Sequence, residues 1–318
     1  MTHYLLIDGN SLGFAAQAMP KLVNAGKQTQ AIFGFLRSLR VLCEENPASH
    51  PIVFWDGRSW RYEHYPEYKA GRDKDPKQAA EREQYKRQRP IISRMVAALG
   101  VEQRMAANME ADDLIAKACW ELNLHDRATV VSGDRDLLQL VNHRVDWYNP
   151  IRLPGNKTPR FIRVNDESFA EDVGYETPVD YVKGKAMLGD ASDNLPGIEG
   201  IGEKAAPMVV KTWPDLSRMI DDIRMRGDAA IPDHLSRYKK KLKTFAASEE
   251  AQRKFLLNFR LMRLTKSFIP TPVDLTITRI PFAPVAFKRH CMEQGFVSIL
   301  KDYDAWTRPF AEHWENAA

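Results

Sequence analysis

Along the first half of the chain, apolar and polar positions fall into blocks whose period switches back and forth. Tyr4–Ile7 is a short apolar run stopped by Asp8-Gly9-Asn10, and Pro51–Trp55 is a second, stopped by Asp56-Gly57. Ala128–Val131 ends in the same way at Ser132-Gly133-Asp134, and Arg144–Trp147 reads as a further strand. Between them, Ile32, Phe35, Leu36, Leu39 and Leu42 recur at helical spacing within Ala31–Cys43. Pro90–Leu99, with Pro90 suited to a first turn, and Asp112–Leu122 read as two more helices. Short apolar strands alternating with helices predict an α/β body on a mostly parallel central sheet with flanking helices.

After Asn149 the pattern changes. Residues 150–160 form a Pro/Gly/Lys loop, and beyond Glu167 nearly everything reads as short helices punctuated by Pro and Gly. The expected division is an α/β body over 1–170 and a helical region over 171–318. Residues 60–89 are charged and poor in aliphatics, so they read as a long excursion from the sheet that contributes nothing to a core.

Composition narrows the class. At roughly 150 residues per domain, 318 residues make one large domain or two modest ones. A hydrophobic share of 44% with 28% charged residues excludes bulk disorder. No apolar stretch approaches the ~18 residues of a membrane span, and the N-terminus meets Asp8 before a signal-peptide core could form. Cys43, Cys119 and Cys291 are odd in number and far apart, which argues against a disulfide framework or zinc site and fits a reducing cytoplasm. The net charge is only +4, but it is unevenly spread. Arg58–Arg94 holds eleven Lys/Arg against six Asp/Glu, a local +5, and Arg237–Lys243 and Arg253–Lys266 each carry five basic residues and no acid. Single runs of this kind are ordinarily solvated helix faces; three of them favour a polyanionic partner such as nucleic acid.

The acids sit where strands end. Asp8, Asp56, and the pair Asp134 and Asp136 follow three separate strands, and in an open α/β sheet the site lies outside the strands' carboxyl ends. Glu110, Asp112 and Asp113 open a helix, where acids favour the positive end of the dipole. Each alone is ordinary turn or cap chemistry; together they form a carboxylate cluster that needs cations. All-oxygen ligands select magnesium or manganese over zinc, and a multi-carboxylate site beside basic zones suggests metal-assisted phosphodiester hydrolysis. A further pair, Asp190 and Asp193, precedes Gly197, Gly200 and Gly202 and then Lys204, a glycine hairpin leading into a helix that can expose N–H groups to phosphate. No GxxxxGK[ST] sequence occurs, which argues against a nucleotide-driven motor.

Taken together, Leu5-Leu-Ile-Asp8-Gly9, Val53-Phe-Trp-Asp56, Tyr68-Lys69-Ala-Gly-Arg72, Glu110-Ala-Asp112-Asp113, Ser132-Gly-Asp134-Arg-Asp136-Leu-Leu-Gln139 and Gly189-Asp190-Ala-Ser-Asp193-Asn-Leu-Pro-Gly197 resemble the 5′ nuclease family. That family includes flap endonucleases, bacteriophage 5′ exonucleases and the 5′–3′ exonuclease domain of bacterial DNA polymerase I. The match runs from residue 4 to about 206. It implies a PIN-like core, a helical arch at about 60–89, and a C-terminal helical region with a helix-hairpin-helix at about 185–212.

It also implies two or more magnesium or manganese ions. One would lie among Asp8, Asp56, Glu110, Asp112 and Asp113, the other among Asp134, Asp136, Asp190 and Asp193. Lys69 and Arg72 would neutralise the scissile phosphate, and Tyr68 would stack on a nucleobase. Lys185 would supply a second phosphate contact. Gly197, Gly200, Gly202 and Lys204 would grip duplex DNA with the help of a potassium ion. The implied activity is structure-specific hydrolysis of DNA near 5′ ends, nicks or flaps, leaving 5′-phosphates, in replication or repair. A cytoplasmic monomer, bacterial or phage-encoded and acting beside replication proteins, is expected. The competing readings are a PIN-like ribonuclease and a non-catalytic structure-specific DNA-binding protein.

Overall fold

The computed structural model describes residues 1–72, 74–151 and 162–317; the loop expected at 150–160 falls almost wholly outside them. Seven strands make the main sheet: β1 (His3–Asp8), β2 (Ser49–Trp55), β3 (Glu102–Met105), β4 (Arg127–Val131), β5 (Val145–Tyr148), β6 (Arg163–Val164) and β7 (Thr276–Thr278). Their order is β7-β3-β2-β1-β4-β5-β6. The five inner strands are parallel, with β1 between β2 and β4, and the two outermost strands run antiparallel.

Alternation along the inner strands divides the core in two, because successive side chains point to opposite faces. Leu5, Ile7, Val53, Trp55 and Val131 enter one apolar cluster, and Leu6, Ile52, Phe54 and Val130 enter the other. The first is closed by α1 (Gly9–Gln17), α2 (Gln30–Glu45) and the second half of α3 (Pro76–Ala98). The second is closed by α4 (Ala111–Trp120). A third cluster belongs to the helical region, including α5 (Pro178–Leu188), α6 (Ala206–Thr212), α7 (Lys239–Ala247) and α8 (Glu249–Met262).

Three expectations change. Pro90 lies inside α3, which starts at Pro76 with Asp75 accepting the Lys77 N–H at 2.9 Å. The helix runs through Pro90 because Tyr85, Gln88, Ile92, Met95 and Val96 share a buried face; Gln88 also accepts the Ala31 N–H at 3.0 Å, capping α2. The segment 60–89 does contribute to cores: Trp60, Tyr68 and Tyr85 are all buried, and the Tyr85 hydroxyl donates to the Gly9 carbonyl at 3.2 Å. The arch segment is thus fastened to the body at both ends. Finally, the chain beyond 171 is not wholly a separate helical region. Leu275-Thr-Ile-Thr alternates and pairs with β3 as β7, and Phe287, Cys291, Ile299 and Phe310 close the first cluster.

Among the described residues, no helix is long and apolar enough to cross a membrane.

Candidate functional site: a carboxylate cleft under a cationic wall

Because β1, β2 and β4 are parallel, their carboxyl ends lie along one edge. Asp8 terminates β1 and caps α1: Oδ1 accepts the Ser11 N–H at 2.9 Å and Oδ2 accepts the Ser132 hydroxyl at 2.8 Å. Asp56 follows β2 and accepts the Ala111 N–H at 2.8 Å, drawing the start of α4 to the same edge. Asp112 lies in the first turn of α4, and Asp134, three residues past β4, accepts the Asp136 N–H at 2.8 Å. With Glu110 they line a cavity of about 1100 Å³.

These carboxylates resist ionising together. Burial and then the Asp56 charge push Asp8 up to about 6. Withdrawal from bulk water and the Asp136 charge push Asp134 up to about 7. Burial, Asp134 and Asp8 raise Asp112 well above the ordinary range. Like charges gathered in a poorly hydrated cleft produce this effect, and it marks a site short of positive charge. The donors are all oxygen, so the set fits hard divalent cations. Among the described residues, no three of these side chains stand close enough to form a finished ligand set. Ammonium groups occupy positions between them instead.

Lys185 is one such ammonium. Its Nζ lies 2.9 Å from Asp136 and 3.6 Å from Asp190. α5 thus aims Lys185, expected as a second phosphate contact, into the second carboxylate group. Asp136 is still raised, since burial outweighs Lys185. Burial also acts to raise Asp190, but the Ser192 hydrogen bond and Lys185 outweigh it, and the net shift is downward.

Lys69 is the other. It follows the one-turn helix Arg61–His64 in a turn with φ +62°, its N–H donating to the Asp193 carbonyl at 3.0 Å and its Nζ to Glu110. Burial pulls the Lys69 ammonium below its ordinary value. Arg72 bonds Asp193 Oδ1 at 2.7 Å and the Ser192 carbonyl at 3.3 Å. Tyr68 is 4% exposed, packed in the third cluster with Trp60 and Met187. Its hydroxyl sits between Glu110 Oε2 at 3.0 Å and Asp193 Oδ2 at 2.8 Å, bridging the two carboxylate groups. No ring face is left for a nucleobase, so the stacking role is corrected to a bridging one.

Asp113 is also reassigned. It is fully buried, accepts two hydrogen bonds from Arg61 at 2.9 and 3.0 Å, and caps the Glu110 N–H at 3.1 Å. It turns away from the cleft and holds the start of α4. Sequence reasoning missed Arg61, which was one basic residue among many in a polar run and carried no distinguishing signal. It also left unnamed the cleft's cationic wall. Arg82, Lys86 and Arg89 follow i, i+4, i+7 spacing on α3, and with Lys74 they line the same cavity as the acids, Arg89 donating to the Asp56 carbonyl at 2.9 Å.

The glycine hairpin separates into distinct roles. A Cβ on Gly197 would stand 2.1 Å from the Leu188 carbonyl oxygen, so this position is closed by backbone. Gly200 has φ +81° beneath the aliphatic chain of Lys241. Gly202 has open space around it, and Lys204 is exposed.

Comparison with known proteins matches two family models in tandem: the 5′–3′ exonuclease N-terminal resolvase-like domain over residues 3–174, and the 5′–3′ exonuclease C-terminal SAM fold over 176–280. DNA polymerase I of Mycobacterium bovis is 34% identical over 226 residues, covering 69% of this chain. The thermostable DNA polymerase I of Thermus thermophilus is 31% identical over 282 residues, covering 87%. The chain spans only 24% and 30% of those two proteins. A bacteriophage T5 flap endonuclease, solved with DNA and metal ions, shares the fold with a TM-score of 0.62 and 20% identity, covering 98% of this chain and 99% of the phage protein.

Proposed function

The chain belongs to the 5′–3′ exonuclease family, and from that premise we propose that it hydrolyses DNA phosphodiesters at 5′ ends, nicks and flaps, leaving 5′-phosphate products. The observation that carries this reading is the cleft itself, in which carboxylates from three parallel strand ends and the basic side chains of α3 line one cavity of about 1100 Å³. A phosphodiester backbone is the substrate such a wall attracts, and the acids of the cleft would otherwise repel it.

Asp8, Asp56, Glu110, Asp112 and Asp134 would hold divalent ions at the cleft, with Asp136, Asp190 and Asp193 beside Lys185 as a second group. When bound, such ions supply charge neutralisation at the phosphate and a water activated near neutral pH. The remaining work belongs to the chain. The wall formed by Lys74, Arg82, Lys86 and Arg89 draws the single strand in. Lys69 and Arg72 leave their carboxylate partners for the scissile phosphate, where their charge counts most as negative charge develops. Tyr68 keeps Glu110 and Asp193 in register, and Arg61 with Asp113 fixes the α4 start that carries Glu110 and Asp112. The Gly197–Lys204 hairpin grips the duplex through backbone N–H groups and one ammonium, without regard to base sequence, and a potassium ion held there would add positive charge toward the phosphates.

Incubation with a 5′-labelled flapped or nicked duplex tests the reading. Magnesium should yield short 5′-labelled products, and EDTA should abolish them. Cleavage at full rate in EDTA, or cleavage of RNA hairpins with DNA left intact, would overturn it.

A further inference from the structure

At the opposite edge of the sheet, the amino ends of β1, β2 and β3 border a second recess of about 330 Å³, closed by the C-terminal helix and the chain just after β7. Register places Tyr4 beside His50 and Ile52 beside Glu102, so these side chains and Arg104 share one sheet face. His313 stacks edge-on against His50 at 5.3 Å between ring centroids, and Tyr4 lies 5.9 Å from His50. Trp314 and Arg279 complete the lining.

We propose that this recess is a second binding site, for a nucleoside 5′-monophosphate. Its chemistry divides accordingly. Glu102 is the one carboxylate and is engaged by Arg104 at 2.7 Å, whereas Arg279 makes no ion pair among the described residues. Arg104 and Arg279 therefore leave an excess of guanidinium charge, and guanidinium forks suit a phosphate monoester. Trp314 and Tyr4 offer aromatic surface for a planar base, and the volume lies within the range of small-ligand sites. Burial first, then His50 and Arg279, hold His313 down at about 4, so it adds no positive charge of its own at neutral pH. His50 from β2, Arg279 beyond β7, Glu102 and Arg104 from β3, and Tyr4 from β1 are the charged and titratable groups around it. The site stands apart from the carboxylate cleft and does not depend on the catalytic reading.

Calorimetric titration of the whole protein with deoxyadenosine 5′-monophosphate in EDTA tests this, with inorganic phosphate and deoxyadenosine as separate titrants. Binding should be single-site, and each half-ligand should bind at least about tenfold more weakly. Arg279→Glu and, separately, Trp314→Ala should each weaken nucleotide binding about tenfold or more, while Lys69→Ala leaves it unchanged and Arg279→Glu leaves DNA cleavage unchanged. Nucleotide binding indifferent to both recess substitutions, or inorganic phosphate binding as tightly as the nucleotide, would overturn the assignment. Because the titration contains no DNA and no divalent ion, a failure of the nuclease reading would not mimic either result.

Discussion

Arg61 and Asp113 meet through two parallel hydrogen bonds, Nη2 to Oδ1 at 2.9 Å and Nη1 to Oδ2 at 3.0 Å, with Asp113 wholly buried. Arg61 also reaches Glu110 Oε2 at 3.0 Å and the Leu261 carbonyl at 2.7 Å, so one guanidinium ties the carboxylate edge to α8. Removing one partner of a buried pair strands the other charge. Asp113→Ala should therefore cost about 3–5 kcal/mol of folding stability by urea denaturation. The divalent-ion concentration for half-maximal cleavage, measured on the folded fraction, should shift little. A stable Asp113→Ala protein with a large loss of ion affinity would return Asp113 to the ligand set.

Asp134→Asn separates chemistry from binding. It removes one negative charge from a cleft that a polyanion must enter, so affinity for flapped DNA in EDTA should hold or rise. Cleavage with saturating magnesium should fall by about 100-fold or more, a loss on the scale of deleting one preorganised electrostatic group. Parallel loss of affinity and activity would show that Asp134 supports the fold.

The ion-free protein should grow less stable as pH rises from about 4 to about 7. Asp8 and Asp134 are pushed up to about 6 and about 7, above an unfolded aspartate near 3.9. The folded state thus binds more protons than the unfolded state across that window, and stability falls as those protons leave. Below it the penalty is absent; above it the penalty is complete. Melting temperatures in EDTA should show this fall in the wild type and a shallower one in Asp134→Asn. Identical slopes would mean that Asp134 is not strained by ionisation.

Lys69→Ala should lower the single-turnover rate about 100-fold while changing DNA affinity little, because its charge matters most as the phosphate reacts. A reduced affinity with an unchanged rate at saturation would make Lys69 an ordinary phosphate contact.

In the hairpin, Gly202→Val should fold normally, since nothing lies within 4 Å of an added Cβ, yet weaken duplex binding by blocking a phosphate. Gly200→Val should instead disturb the fold, because its φ of +81° is a conformation that a β-branched residue rarely adopts. Lys204→Ala should lower the salt slope of duplex binding by about 0.9. Equal losses on duplex and single strand would assign the hairpin to the cleft instead.

The sequence by itself determined the parallel sheet, the helical spacing of α2 and the placing of acids after strands, because period and turn chemistry are local properties. Asp8, Asp56, Glu110, Asp112 and Asp134 were legible on those grounds and converge at one cleft. Tertiary structure decided which polar groups face one another. Tyr68, Asp113 and Lys185 lie in stretches whose local pattern is equally compatible with facing the substrate or facing inward; burial against Trp60, the Arg61 guanidinium and Asp136 settled each one. Pro90 marked a helix start by local rule, but the buried face from Tyr85 to Val96 carried α3 through it. The return of residues 276–317 to the first core was hidden for the same reason: an edge strand and three short helices have no local signal for the distant surface they cover, and only the exposed flank of β3 and of the first cluster selects them.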